Sequence, residues 1–199
     1  MIKVALLRHG VTDWNQQGRV QGRTDTALAE SGRRWLRDRR LPSELGDWRV
    51  VASPLQRARE TAALLGLAPT ELVPELVEMS WGRWEGSTWQ VLRTRHGKGF
   101  VQMEARGLDF RPPGGESPRL VQQRALGWLR RLVESESGAG VVAVTHKGVI
   151  RAVLARCWGW DMLGPPPFRL DWGCLQVVLI DAAGEPTQLR CNVPLESTA

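Results

Sequence analysis

Two of the three histidines in the chain stand just after aliphatic runs that predict buried strands. His9 closely follows residues 2–7, and His146 closely follows the run 140–144. A single histidine at a strand end is more often a structural hydrogen-bonding group than a catalyst. Two of them at neighbouring strand ends, each followed closely by glycine, favour chemistry instead. An imidazole has an ordinary pKa of about 6.5, so a neutral ring is available near neutral pH to act as a nucleophile.

Two arginines suit such a nucleophile to a phosphoryl group. Arg8 directly precedes His9, and Arg57 lies just after the second predicted strand. Guanidinium groups make bidentate contacts with phosphate, and attack at phosphorus needs positive charge around the equatorial oxygens. Backbone N–H groups near Gly10 and at the helix start after Ser53 are also expected to face the anion.

A departing alkoxide needs a proton, which a buried carboxylic acid can donate. Glu78 and Glu85 flank the aromatic run 81–84, so both are candidates for this acid. His96 matches no motif and is expected to be an exposed residue. No motif predicts a metal site, and no cofactor is expected.

Alternating strands and helices must position these residues. The predicted strands are 2–7, 48–52, 71–76, 140–144, 174–180 and 187–193, the last two forming a hairpin. The predicted helices are 33–40, 54–65 with Ser53 as N-cap, 120–133 and 148–157. This alternation indicates an α/β fold with a mostly parallel central sheet and helices on both faces, in which a ligand binds beyond the carboxyl ends of the strands. The stretch of about 78–118 is interpreted as a small cap insertion within a single domain, 1–199.

The composition narrows the class of protein. The 199 residues are 42% hydrophobic and 24% charged, a balance typical of globular domains. No apolar run approaches the roughly 20 residues of a membrane-spanning helix, and residues 1–7 are too short for a signal peptide. Three widely spaced cysteines predict no disulfide framework, so a cytoplasmic location is expected. The net charge of +6 comes from arginines spread along the whole chain rather than gathered in one basic arm.

Longer blocks around these residues resemble the histidine phosphatase superfamily, in its phosphoglycerate mutase-like branch. The blocks occur in the order of the family at 7–15, 21–28, 53–62, 78–86, 113–117 and 145–151. An Arg-His-Gly triplet alone would be a weak signal, but the whole set is specific. The resemblance implies the phosphoglycerate mutase-like fold, and the block 78–86 is similar to phosphatase members such as those resembling α-ribazole phosphatase.

The resemblance implies a role for each matching residue. The implied catalytic residues are His9, Arg8, Arg57, His146 and Glu78, and the implied substrate-binding residues are Asn15, Gln21 and Gly22. His9 would be the phosphorylated nucleophile and Glu78 the proton donor, with Glu85 as the second choice. Position 147 is usually small in this family, so Lys147 either extends into solvent or adds a cation beside the phosphate.

Three functions are compatible with this pattern. The favoured one is metal-independent hydrolysis of a small phosphomonoester through a phosphohistidine intermediate, as in histidine acid phosphatases. The alternatives are phosphoryl transfer of the phosphoglycerate mutase type and a non-catalytic phosphate-binding or nucleic-acid-binding protein. We expect a small phosphorylated metabolite as the partner and neither nucleic acid nor a membrane, and a homo-oligomer is left open.

Overall fold

A six-stranded sheet lies at the centre of the computed structural model, which describes residues 1–135 and 138–198. The strands are β1 (Ile2–Arg8), β2 (Arg39–Arg40), β3 (Arg49–Ala52), β4 (Glu71–Leu72), β5 (Val141–Thr145), β6 (Cys174–Ile180), β7 (Pro186–Pro194) and β8 (Glu196–Ser197). The helices are α1 (Asp13–Gln16), α2 (Glu30–Arg37), α3 (Gln56–Leu64), α4 (Trp89–Glu104), α5 (Pro118–Ser135) and α6 (Lys147–Trp158).

The order of the strands in the sheet is β4-β3-β5-β1-β6-β7. The first four are parallel to one another, whereas β6 and β7 are antiparallel and form the predicted hairpin. Strands β2 and β8 pair in a separate small sheet. The predicted mostly parallel sheet is therefore confirmed.

Alternate residues of β1 enter two different hydrophobic cores. Val4 and Leu6 pack in the core that contains the apolar faces of α5 and α6. Ala5 and Leu7 pack in the core that contains those of α2 and α3. Because side chains alternate across a strand, this division places helices on both faces of the sheet, as predicted. None of the helices in the described part of the chain is long and apolar enough to cross a membrane.

Three predicted elements have different bounds from those expected. The helix predicted for 33–40 is α2, which ends at Arg37 and is followed by β2. The strand predicted for 71–76 ends at Leu72, because Pro74 has no N–H to donate and begins a short 3-10 helix instead. The helix predicted to start at 54 begins at Gln56, whose amide donates to a carboxylate oxygen of Asp25 at 2.8 Å.

The segment 78–118 contains a helix that the sequence analysis did not predict. This helix is α4, and its backbone is interrupted at Gly97, which has φ 47° and ψ −124°. Its aromatic side chains pack on neighbouring rings, since Phe100 stacks on Trp84 with a centroid separation of 5.4 Å and Trp89 meets Trp81 edge to face at 5.1 Å. Contacts between distant residues therefore stabilise α4 more than local helix propensity does.

Two helical glycines give a matched test of this packing. A Cβ on Gly32 of α2 would lie 2.3 Å from the carbonyl oxygen of Val11, whereas a Cβ on Gly127 of α5 would meet nothing closer than 3.9 Å. We predict that Gly32→Ala lowers the free energy of unfolding by about 1–3 kcal/mol through overpacking. Gly127→Ala should instead raise it by up to about 1 kcal/mol, because alanine favours the helix. Urea denaturation of both variants measures the difference, and equal effects would contradict the packing described.

Candidate active site

The pairing of β1 with β5 brings His9 and His146 together. The register sets Arg8 opposite Thr145, and the amide of His9 donates to the Thr145 carbonyl at 2.9 Å. The next residue of each chain segment is a buried histidine, and the two ring centroids lie 5.1 Å apart. The carboxyl ends of two parallel strands thus place both imidazoles at one edge of the sheet.

The hydrogen bonding of His9 determines which ring nitrogen is available. Its Nδ1 lies 2.7 Å from the carbonyl oxygen of Gly10. A carbonyl oxygen only accepts, so Nδ1 carries the hydrogen and the neutral ring keeps its lone pair on Nε2. The amide of Gly10 donates to Thr61 Oγ1 at 2.9 Å, which fixes the backbone at this turn. His9 is therefore oriented with Nε2 as the nucleophilic atom.

His146 is held from the neighbouring strand end. Its Nε2 lies 2.7 Å from Ser53 Oγ. Within the described residues its buried Nδ1 has no hydrogen-bond partner. The Ser53 side chain thus serves His146, whereas the sequence analysis had expected it to cap a helix. Together with the pairing of the Gly10 amide, this corrects the expectation that backbone N–H groups near Gly10 and after Ser53 face the anion.

Burial and positive charge keep both imidazoles neutral. Burial, followed by the charges of Arg8 and Arg57, lowers the pKa of His9 well below 6.5. The pKa of His146 is also lowered well below 6.5, first by burial and then by His9 and Arg57. The neutral form that a nucleophile needs is therefore maintained inside a positively charged site.

The guanidinium groups of Arg8 and Arg57 have unused donors. Arg57 is fully buried and donates to the carbonyl oxygens of Gly22 and Thr24 at 2.7 and 3.0 Å, so it also holds that loop. The Nε atoms of Arg8 and Arg57 are buried and lack a hydrogen-bond partner within the described chain. A buried donor without a partner costs about 1–3 kcal/mol, which an anion bound beside it would offset.

Glu78 sits against the first turn of α6. Its Oε1 accepts from the amides of Met79 and Gly148 at 2.7 and 3.1 Å, and its Oε2 accepts from the Gly148 amide at 3.2 Å. A Cβ at position 148 would lie 2.3 Å from Oε1, so only glycine allows this approach. Because Oε1 is committed to two amides, Oε2 is the oxygen that can carry a transferable proton.

Glu85 has a different environment from Glu78. Its two carboxylate oxygens accept from the amides of Arg23, Thr24 and Trp81 and from the Thr24 hydroxyl, at 2.6 to 3.1 Å. It does not line the cavity described below. These contacts fix the loop that includes Gly22, where a Cβ would lie 2.1 Å from Glu85 Oε1. The geometry thus assigns Glu85 to loop architecture and favours Glu78 as the acid.

Asn15 and Gln21 form a polar network at the edge of the site. Gln21 Oε1 accepts from Thr12 Oγ1 at 3.2 Å and from Asn15 Nδ2 at 3.3 Å, and Gln21 Nε2 donates to Thr26. The hydroxyl of Thr12 also accepts from the amide of Asn15, which caps α1. These contacts orient both side chains beside His9.

A cavity of about 740 Å³ opens beside these residues. Its wall includes most of the residues that the sequence predicted, namely Arg8, His9, Asn15, Gln21, Gly22, Glu78 and Lys147. Aromatic side chains from the segment 78–118, including Trp81 and Phe110, form another part of the wall. Arg57 and His146 are fully buried behind it. The cavity thus combines a polar, positively charged region with an apolar one.

The arrangement can be compared with known proteins. The profile of the histidine phosphatase superfamily, branch 1, matches residues 4–193. The chain belongs to this superfamily. Over 161 residues it is 31% identical to the metal-independent phosphoserine phosphatase of Arabidopsis thaliana, covering 77% of this chain and 68% of that protein. Over 192 residues it is 29% identical to the adenosylcobalamin/alpha-ribazole phosphatase of Escherichia coli K12, covering 90% and 91% of the two chains.

Solved structures agree with this membership of the histidine phosphatase superfamily. A mycobacterial glucosyl-3-phosphoglycerate phosphatase, solved in complex with VO3, superposes with a TM-score of 0.79 at 26% identity. The comparison covers 97% of this chain and all of that one. The family and the fold predicted from the sequence are therefore confirmed.

Within this superfamily site, some residues differ from expectation or were missed. His96 is half-buried against Trp84, with ring centroids 5.3 Å apart, and is not the exposed residue predicted. Arg151 lines the cavity but was not singled out, although its four-residue spacing from Lys147 was an available signal. Trp172 lies close to Arg8 and Lys147, and no local motif announces it.

The buried neutral imidazoles predict how stability changes with pH. Below about pH 6.5 the unfolded chain binds protons that the folded chain does not, because the folded-state pKa values of His9 and His146 are lowered. We therefore predict that the free energy of unfolding falls as pH drops below 6.5, by up to about 1.4 kcal/mol per pH unit for each imidazole, until the folded-state pKa is passed.

Comparison with His9→Gln isolates the contribution of one ring, because carboxylates contribute equally to both proteins. Urea denaturation at about pH 7 and about pH 5 measures it, and the variant should lose less stability than the wild type on acidification. The same loss in both proteins would mean that His9 does not titrate below its ordinary range.

Proposed function

We propose that this protein is a phosphatase that hydrolyses a small phosphomonoester through a phosphohistidine intermediate. The observation that carries the proposal is the orientation of His9, whose Nδ1–H is held by the Gly10 carbonyl so that Nε2 is free to attack. The buried Nε donors of Arg8 and Arg57 support phosphate as the bound anion. The phosphatase names of several relatives, and a relative solved with VO3, support the same reaction class.

The first step forms a bond between His9 Nε2 and phosphorus while the bond from phosphorus to the ester oxygen breaks. Arg8 and Arg57 stabilise the charge on the phosphoryl oxygens, and His146 lies on the other side of His9. Glu78 transfers the proton on Oε2 to the departing oxygen, so the alcohol leaves neutral. The phosphoryl group then remains on His9, and Glu78 is ionised.

The second step returns the site to its starting state. A water molecule attacks phosphorus, the bond to His9 Nε2 breaks, and Glu78 accepts the proton that water loses. Inorganic phosphate leaves, and Glu78 is again protonated. Guanidinium and imidazole groups supply the positive charge that Mg²⁺ supplies in many other phosphoryl-transfer enzymes, so the proposed reaction requires no metal.

Two other functions fit the site less well. A non-catalytic phosphate-binding protein needs neither a nucleophile oriented by Gly10 nor an acid such as Glu78. Phosphoryl transfer of the phosphoglycerate mutase type uses the same first step and differs in the acceptor. Assays for released phosphate and for isomerised phosphoglycerate, run side by side, separate hydrolysis from transfer.

The phosphohistidine intermediate gives the first test. Replacing His9 by Ala should reduce phosphate release by several orders of magnitude, because the covalent route is lost. Wild-type protein mixed with a radiolabelled ester in excess chelator, then denatured in alkali, should carry an acid-labile label on the peptide that contains His9. His96→Ala is the matched control and should keep both the label and the activity. Full activity in His9→Ala, or labelling of another residue, would overturn the mechanism.

The proton donor is tested by varying the leaving group. An alkoxide needs protonation as it departs, whereas nitrophenolate does not. We predict that Glu78→Gln slows hydrolysis of alkyl phosphates by about 100-fold or more and affects nitrophenyl phosphate much less. Glu85→Gln should impair both substrates to a similar extent, because it loosens the loop at Gly22 and Thr24. If the dependence on leaving group appears in Glu85→Gln and not in Glu78→Gln, the assignment of the acid is wrong.

A further inference from the structure

Two cations on α6 line the cavity beyond the residues that the proposed reaction uses. Lys147 is the first residue of α6, and Arg151 lies four residues later. Both belong to the cavity wall. Residues four apart project from one helix face about 5–6 Å from each other, so the two charges form a pair on one wall.

Aromatic rings support both cations without neutralising them. Lys147 Nζ lies 5.1 Å from the ring centroid of Trp172, and the Arg151 guanidinium lies 4.9 Å from that of Trp160. Arg8 also approaches Trp172, at 5.8 Å. A cation over an aromatic face is attracted by the ring quadrupole and retains its full charge. The rings therefore hold these side chains at the cavity while leaving their charges for a ligand.

Neither cation pairs with a carboxylate within residues 1–135 and 138–198. At the surface, by contrast, many arginines do so, as when Arg119 meets Asp109 at 2.6 Å or Arg156 meets Glu185 at 2.7 Å. Like charges four apart on a helix are mutually destabilising. Partial burial, Arg8 and Arg151 together lower the pKa of Lys147. The fold thus keeps a repulsive pair that faces the cavity, which an anion placed between the two charges would relieve.

The pair is separate from the position of the reacting phosphate. The cations that act most strongly on His9 are Arg8 and Arg57. Those that act most strongly on Lys147 are Arg8 and Arg151. Arg8 therefore lies between two anion positions, and Arg151 is displaced along α6 from His146 by roughly one helical turn, about 5.4 Å.

We propose that Lys147 and Arg151 bind a second anionic group of the substrate. The group is a carboxylate or a second phosphate, joined to the reacting ester by a short carbon linker that spans on the order of one helical turn. This inference rests on the proposed phosphatase function and specifies its substrate class as phosphomonoesters that carry another negative charge. It assigns Lys147 a role distinct from that of a further cation beside the reacting phosphate.

Three esters on one carbon skeleton test the proposal. They are glycerol 3-phosphate, whose far end is a hydroxyl, 3-phosphoglycerate, whose far end is a carboxylate, and glycerol 1,3-bisphosphate. Wild-type protein should have a higher kcat/KM for one or both anionic esters, and the better of the two identifies the group. In Lys147→Met and in Arg151→Met the loss on that ester should exceed the loss on glycerol 3-phosphate by about tenfold, the discrimination given by one charge-assisted hydrogen bond. Lys98→Met removes an exposed lysine outside the cavity wall and should leave the ratio unchanged.

Other readouts separate the failure of this inference from the failure of the proposed function. Hydrolysis of nitrophenyl phosphate by wild-type protein tests the function alone. Calorimetric binding of the three esters to His9→Ala tests the second site without turnover, and the anionic esters should bind more tightly. Equal losses on all three esters, or inhibition by inorganic phosphate weakened as strongly as anionic-ester turnover, would assign Lys147 to the reacting phosphate and overturn the inference. Unchanged ratios and equal binding would overturn it as well.

Discussion

The parallel pairing of β1 with β5 is the constraint on which the site depends. It sets Arg8 opposite Thr145, so that His9 and His146 emerge side by side from neighbouring strand ends. Burial and the adjacent guanidinium groups both disfavour protonation of these rings, so the imidazoles stay neutral among positive charges. The loss of solvation that this packing imposes is also what prepares Nε2 of His9 to attack an anion, since a protonated ring has no lone pair to offer.

The same dependence on surroundings divides the two candidate carboxylates. Glu85 uses both of its oxygens to fix a loop, and Gly22 makes that approach feasible because it has no side chain. Glu78 concentrates its amide contacts on one oxygen at the start of α6, where Gly148 has the corresponding role. Sequence spacing around the aromatic run could not separate these two residues. The contacts of each oxygen separate them, because a proton donor needs one oxygen that the backbone does not hold strongly.

Local patterns predicted the elements that position the chemistry. The aliphatic runs of β1 and β5, with the histidines that follow them, are local signals, and their parallel pairing follows from the alternation of strands and helices. Predictions were wrong where a distant partner decides the outcome. Ser53 has the composition of an N-cap, yet it bonds to His146, which is 93 residues away. Helix α4 depends on ring packing across the segment 78–118 despite the interruption at Gly97, and the position of Trp172 beside Lys147 has no counterpart in local sequence.

The distribution of arginine pairing gives the basic composition two physical meanings. Surface arginines such as Arg119 and Arg156 are matched by carboxylates, so much of their charge is cancelled locally and screened by salt. The cations around the cavity have aromatic rings and buried donors as neighbours, and these do not cancel their charge. A cleft lined by one sign of charge with poorly polarisable walls focuses the field inside it. An anionic ester is therefore attracted to the cavity more strongly than the net charge of +6 alone would indicate, and the field is strongest where Arg8 and Lys147 approach the same ring.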